Sequence, residues 1–189
     1  MIRKCLRLLA LVAALFLTGQ VLIAPAVQAA DLENTLYLDL PAGRVVIQMR
    51  PDLAPNHVKR IKELVRRGFY DGLTFHRVID GFMAQGGDPT GTGAGGSGQN
   101  INAEFSAEHH VRGVVSMARS GSINSADCQF FIMLGDNPGL DGKYTIWGQV
   151  VSGMEYVDQI KKGDPNDNGK VSNPTKIVRM QVAADADKK

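Results

Sequence analysis

The run at residues 75–88, FHRVIDGFMAQGGD, constrains this chain more than any other stretch. Arg77 sits two residues into a strand-like segment, and Phe82 and Met83 follow just past a turn. Successive side chains of a strand point to opposite faces, so a fold built on this run has to present an apolar cup with one charged donor at its lip. A guanidinium suits that position because it stays protonated and holds its N–H groups in a rigid fork.

The surrounding chain reads mostly as strand. Residues 34–40 alternate polar and apolar, Pro41-Ala42-Gly43 makes a turn, and 44–49 is rich in β-branched side chains, which together predict a hairpin. Pro55 suits a first helical turn, and Val58, Ile61, Leu64 and Val65 recur at helical spacing until Gly68 closes the element. Met154, Val157 and Ile160, between Gly153 and Gly163, predict a second helix flanked by strands at 145–151 and 177–182. Local signals thus give a mainly β domain with two helices and do not choose between barrel and sandwich.

The N-terminus carries Arg3, Lys4 and Arg7, an apolar run over 8–17, and small residues leading to Ala29-Ala30, the order of a secretory signal. Cleavage after Ala29 or Ala30 is predicted, leaving one domain over 30–189. Apolar character continues to Ala24, so an uncleaved membrane anchor is the other reading of this segment. Loss of 1–29 removes three of the 21 Lys and Arg and none of the 19 Asp and Glu, leaving 18 against 19. A near-neutral mature chain has no electrostatic attraction to nucleic acid, and once processed no stable membrane association is expected. Of the two cysteines, Cys5 lies in the signal, which leaves Cys128 alone and excludes an internal disulfide. The chain that remains is long enough for one continuous core.

The run at 75–88 resembles the signature of the cyclophilin-type peptidyl-prolyl cis-trans isomerases, and segments 114–118, 128–132 and 140–143 are similar to that family in the same order. The resemblance spans nearly all of 35–182. It implies a closed antiparallel eight-stranded barrel capped by two α-helices, with the peptide groove on the outer wall. It also implies a cofactor-free and metal-free enzyme, a monomer, that accelerates rotation of Xaa-Pro bonds in unfolded or flexible exported polypeptides. That rotation has a barrier of roughly 18–20 kcal/mol from amide resonance and makes no new bond to a heavy atom. By position, Arg77 matches the catalytic arginine, Phe82 a residue of the same catalytic group, and Gln85 the glutamine that orients the arginine. Met83, Phe131, Leu140 and Tyr144 fall at the proline pocket, Ala118 and Arg119 where backbone groups hold the peptide, and Gln129 at a further polar contact. A non-catalytic proline-peptide binding module, or a chaperone using the same groove, is the alternative; retention of Arg77 and Gln85 favours the enzyme.

Two positions depart from the best-known eukaryotic members, with Gly139 in place of a tryptophan and Tyr144 in place of a pocket histidine. Weak binding of the cyclic-peptide inhibitor cyclosporin is therefore expected, with turnover retained. Trp147 reads as strand core.

Other patterns carry less. Residues 91–96 spell GxGxxG without a following helix to aim at a phosphate and read as a mobile loop bordering the groove. Asp164, Asn166, Asn168 and Gly169 begin like a calcium loop, but Thr175 stands where a bidentate glutamate is needed, so a solvated turn is expected. His109 and His110 read as solvated loop residues. Ser116, His76 and Asp88 lack the strand-turn-helix context of a hydrolase nucleophile. Cys128, just before an apolar strand, reads as a buried inert thiol.

Overall fold

Alternation at the start of the chain produces the first hairpin. Thr35–Leu40 (β1) pairs antiparallel with Gly43–Met49 (β2), Leu40 facing Gly43, so that Leu36, Leu38, Val45 and Ile47 share one face and are fully buried. The computed structural model describes residues 31–186, and the predicted export signal lies outside them.

Six more strands follow: Arg77–Ile79 (β3), Met83–Gly86 (β4), Val114–Met117 (β5), Phe130–Met133 (β6), Ile146–Ser152 (β7) and Arg179–Val182 (β8). They form one antiparallel sheet in the order β3-β4-β6-β5-β7-β2-β1-β8. Register shifts between Val46 and Ile47 and between Val115 and Ser116 add local twist that helps the sheet to curl.

The expected closed barrel needs correction. β3 and β8 are the two ends of the sheet and do not pair with each other in a ladder. The gap is spanned instead by the segment at 169–177, through separate bonds such as Ile177 N to Leu73 O (2.7 Å), Phe75 N to Thr175 O (3.0 Å) and Val78 N to Gly169 O (2.7 Å). Backbone chemistry explains the break. Asn168, Gly169 and Asn173 are in left-handed conformations, and Pro174 has no N–H to donate, so this stretch cannot run as an extended strand.

Pro55–Arg66 (α1) forms where the helical spacing predicted it and buries Val58, Ile61, Leu64 and Val65. Each such side chain contributes about 1.5–3 kcal/mol relative to exposure. Gly68, in the left-handed region, completes a Schellman cap: its N–H reaches Val65 O (2.9 Å) and that of Phe69 reaches Leu64 O (3.0 Å). The other end has no cap from its own segment. Glu104, far along the chain, accepts instead from the N–H groups of Asn56 (3.1 Å) and His57 (3.0 Å). The second helix is shorter than expected, Met154–Asp158 (α2), because the N–H of Gln159 already turns back to cap it.

Inside the curl, β1, β2, α1 and the inner faces of the other strands make the main core, with Trp147 fully buried edge-on to Phe130 (6.1 Å between centroids). A second apolar cluster lies on the opposite face. Met83, Val114, Phe131, Met133 and Ile146 form it, with Phe82, Leu140 and Tyr144 packed against them. β5 and β6 are buried on both faces for this reason, which is why β6 reads as the unbroken apolar run FFIM.

Candidate active site

The outer cluster becomes a site because one row of cross-strand partners crosses it. Arg77 on β3 lies opposite Gln85 on β4, Gln85 opposite Phe131 on β6, and Phe131 opposite Ser116 on β5. Alternation puts all four on the face away from the core, while Val78, Ala84, Ile132 and Val115 turn inward. A cation and an amide eight residues apart in sequence thus stand beside an aromatic ring from 46 residues further along the chain.

Arg77, Phe82, Met83, Gln85, Ala118, Arg119, Phe131, Leu140 and Tyr144 line one pocket of about 130 Å³. Gln129 lies just outside it, in an adjoining polar depression of about 510 Å³ bounded by Gly93, Gly96, Ser120 and Asp127. Gln85, Ala118 and Arg119 belong to both, so the two hollows form one groove. All ten residues expected at the site meet there. The wall of the smaller pocket is aromatic: Phe131 and Tyr144 meet edge to face (5.6 Å, 83°).

The guanidinium of Arg77 is held on two sides. Its Nε donates to the carbonyl of Asn168 (2.9 Å) and its Nη2 to the Asn168 side chain (2.8 Å), while Nη1 donates to Gln85 Oε1 (3.2 Å) and lies 3.9 Å from Met83 Sδ. Three of the five N–H groups of the fork are thereby engaged by oxygen, and the Nη1 edge borders the pocket. Burial pushes the pKa of Arg77 down from its usual value, and proximity to Tyr144 opposes this. Asn168 went unrecognised in the sequence because it sits in a turn that resembles half a calcium loop. Its signal is an asparagine before a glycine, a pair suited to left-handed backbone.

Gln85 is fixed in turn. Its amide donates to Gln129 Oε1 (3.0 Å), and Gln129 donates to the carbonyls of Gly93 (3.0 Å) and Gly95 (2.9 Å). The glycine-rich loop at 91–96 is therefore tied to the groove by hydrogen bonds and borders it as expected. Asp88, almost wholly buried, accepts from Thr90 N (2.7 Å), Thr90 Oγ1 (2.8 Å), Gly95 N (3.2 Å) and Gly93 N. Burial raises the pKa of this carboxyl, but the bonds from Thr90, Gly95 and Gly93 together outweigh it and leave the group below its ordinary value. Asp127 secures the far side by accepting from the N–H groups of Ser97 (2.7 Å) and Gly98 (3.0 Å). Gly87 is required where this loop leaves β4, since its φ is +86° and a Cβ would stand 2.8 Å from Cys128 O.

Arg119 does more than offer its backbone. Its guanidinium lies 4.8 Å from the centre of the Tyr144 ring, with Nε donating to Lys143 O (3.0 Å) and Nη1 to Ser120 O (2.9 Å). One other residue differs from expectation. His109 is exposed as expected, but His110 is buried, because Asp141 accepts from both its backbone N–H (2.8 Å) and its ring (3.1 Å). Ser116 bonds to His110 and not to His76. Cys128 is buried, and that burial pushes its thiol up to about 12.

A family model, cyclophilin type peptidyl-prolyl cis-trans isomerase/CLD, matches residues 35–182, which include every strand and every groove residue named above. The chain belongs to the cyclophilins. A probable peptidyl-prolyl cis-trans isomerase of Brucella suis is 50% identical over 188 residues, covering 93% of this chain and 96% of its own. Peptidyl-prolyl cis-trans isomerase B of Bacillus subtilis is 42% identical over 134 residues, covering 69% of this chain and 93% of its own. Among solved structures, cyclophilin AquaCyp293 from Hirschia baltica superposes with a TM-score of 0.73 at 29% identity, covering 82% of this chain and 76% of that one. A Cryptosporidium parvum cyclophilin type isomerase crystallised in the presence of the dipeptide Ala-Pro gives 0.72 at 29% identity, covering 78% and 98%. This cyclophilin is accordingly a peptidyl-prolyl cis-trans isomerase.

Proposed function

We propose that the isomerase acts on accessible Xaa-Pro bonds of unfolded or flexible exported polypeptides, as a monomer, with Arg77 as its catalytic donor. The observation that carries this is the placement of Arg77: a cation braced by Gln85 and Asn168 at the rim of an apolar pocket too small for more than one compact ring. The prolyl ring enters between Phe82, Met83, Phe131, Leu140 and Tyr144. The adjoining hollow, edged by backbone of the tied glycine loop, takes the flanking chain.

Twisting the amide returns the lone pair to the prolyl nitrogen. A charge-assisted N–H placed for that pyramidal nitrogen, and useless to the planar amide, binds the transition state in preference to the ground state. Each 1.4 kcal/mol or so of that preference is worth about tenfold in rate. Without it, rotation takes tens to hundreds of seconds. Proline binding alone would need the apolar wall but not the braced cation. Export rests on the basic, apolar and small-residue order at 1–29.

Exchange spectroscopy on an Xaa-Pro peptide tests the assignment. Substoichiometric wild-type protein broadens the cis and trans resonances, and Arg77→Ala, still folded, is expected to abolish the broadening. Near wild-type exchange in that variant refutes the role of Arg77. Mass determination of the exported protein tests the rest, since an N-terminus at Ala30 or Asp31 is expected and retention of 1–29 refutes processing.

A further inference from the structure

Behind the pocket lies a second chain of side chains that the isomerase mechanism leaves unused. His110 is fully buried between three of the pocket's supports. Its Nδ1 meets Asp141 Oδ1 (3.1 Å), its Nε2 meets Ser116 Oγ (3.0 Å), and its ring stacks on Phe131 (6.3 Å between centroids, 21° between planes).

These contacts have the atoms of a Ser-His-Asp triad but not its access. Ser116, on β5 opposite Phe131 of β6, is fully buried, so no substrate carbonyl can reach its Oγ. What the chain does is mechanical. Asp141 follows Leu140 directly and closes the short turn Pro138–Leu140, whose approach is also pinned by Asn137 N donating to His110 O (2.8 Å). Phe131 carries Tyr144 against its edge. Thus His110 touches, directly or through one neighbour, Phe131, Leu140 and Tyr144, three of the five apolar walls of the pocket.

We propose that His110 is a positioning residue for the proline pocket, a buried post that holds the Phe131 ring and the Leu140 turn at the spacing a prolyl ring requires. The carboxylate fixes the tautomer: Asp141 can only accept, so Nδ1 carries the proton and Nε2 takes the hydrogen bond of the Ser116 hydroxyl. Burial lowers the pKa of His110, against the opposing pull of Asp141, which keeps this neutral arrangement dominant at neutral pH. A gap behind Phe131 would let the ring drop back, widening the pocket without touching Arg77.

This inference rests on the pocket assignment above, so both are measured in one experiment. Exchange spectroscopy at several peptide concentrations separates KM from kcat for wild type, His110→Ala, His110→Asn, Ser116→Ala and Arg77→Ala, each held well below its own unfolding midpoint. His110→Ala is expected to raise KM about tenfold with kcat changed far less, since ring grip is lost while the donor is kept. His110→Asn, whose amide can still donate to Asp141, is expected to recover part of the loss. A folded His110→Ala with KM within about twofold of wild type, or with its whole loss in kcat, overturns the proposal. If that variant does not fold, Ser116→Ala, which removes one oxygen, carries the same test with a smaller expected rise in KM, and no rise overturns it. Wild-type exchange in Arg77→Ala would mark the failure of the site assignment instead.

Discussion

Asn168→Gly isolates the hold on Arg77. Asn168 occupies left-handed backbone (φ 49°), which glycine adopts without strain, so the substitution deletes the side-chain acceptor at 2.8 Å and keeps the carbonyl acceptor at 2.9 Å. A hydrogen bond to a charged group is worth about 1.5–3 kcal/mol. This one is exposed, so the low end applies, and about 1.4 kcal/mol corresponds to about tenfold in rate. The added backbone freedom costs roughly 0.5–1 kcal/mol of stability, small against the 5–15 kcal/mol of a typical domain. kcat/KM for an Xaa-Pro peptide is therefore expected to fall about tenfold, mostly in kcat, in a protein that remains folded. Asn173→Gly is the control, because Asn173 has nearly the same backbone conformation (φ 52°) but makes no bond to Arg77. Activity of Asn168→Gly within about twofold of the Asn173→Gly control would refute the view that side-chain bracing of the guanidinium matters to turnover.

Two further outcomes can be checked. Cyclosporin is expected to bind no more tightly than micromolar, because Gly139 offers no aromatic wall beside Leu140, and calorimetric titration showing nanomolar affinity would contradict this. Acid stability should depend on Asp141, whose carboxyl is held at about 2, below the ordinary 3.8, by bonds from His109 and the His110 backbone. Its folded pKa is depressed, so its contribution is present above pH 3.8 and disappears as pH falls toward 2. Denaturant titrations should show a smaller fall for Asp141→Asn than for wild type across that window, and identical slopes would exclude the carboxylate as a source of acid sensitivity.

The residues that carry chemistry were legible because they are consecutive in sequence and alternate in space. Once the run at 75–88 is read as two short strands about a turn, Arg77 and Gln85 must face each other and the same side. The aromatic wall could be placed from the resemblance but not from periodicity, since β5 and β6 are buried on both faces and show no alternation. Asn168, His110 and Asp141 escaped for a different reason. Each acts through contacts made across a long loop, and nothing local tells which of two adjacent histidines bonded to the same distant carboxylate is buried, His110, and which is exposed, His109. The open end of the sheet was likewise hidden, because left-handed asparagines spoil a ladder without changing the polarity pattern that announces one.

The unladdered gap between β3 and β8 has a consequence for biogenesis. Arg77 is made early in synthesis, yet its main anchor, Asn168, arrives only with the closing segment that stitches the two sheet ends together. Without that segment the guanidinium would keep only its bond to Gln85. Full bracing of the proposed donor therefore depends on a segment more than ninety residues downstream of it, so the geometry of the groove is complete only when that part of the chain is in place.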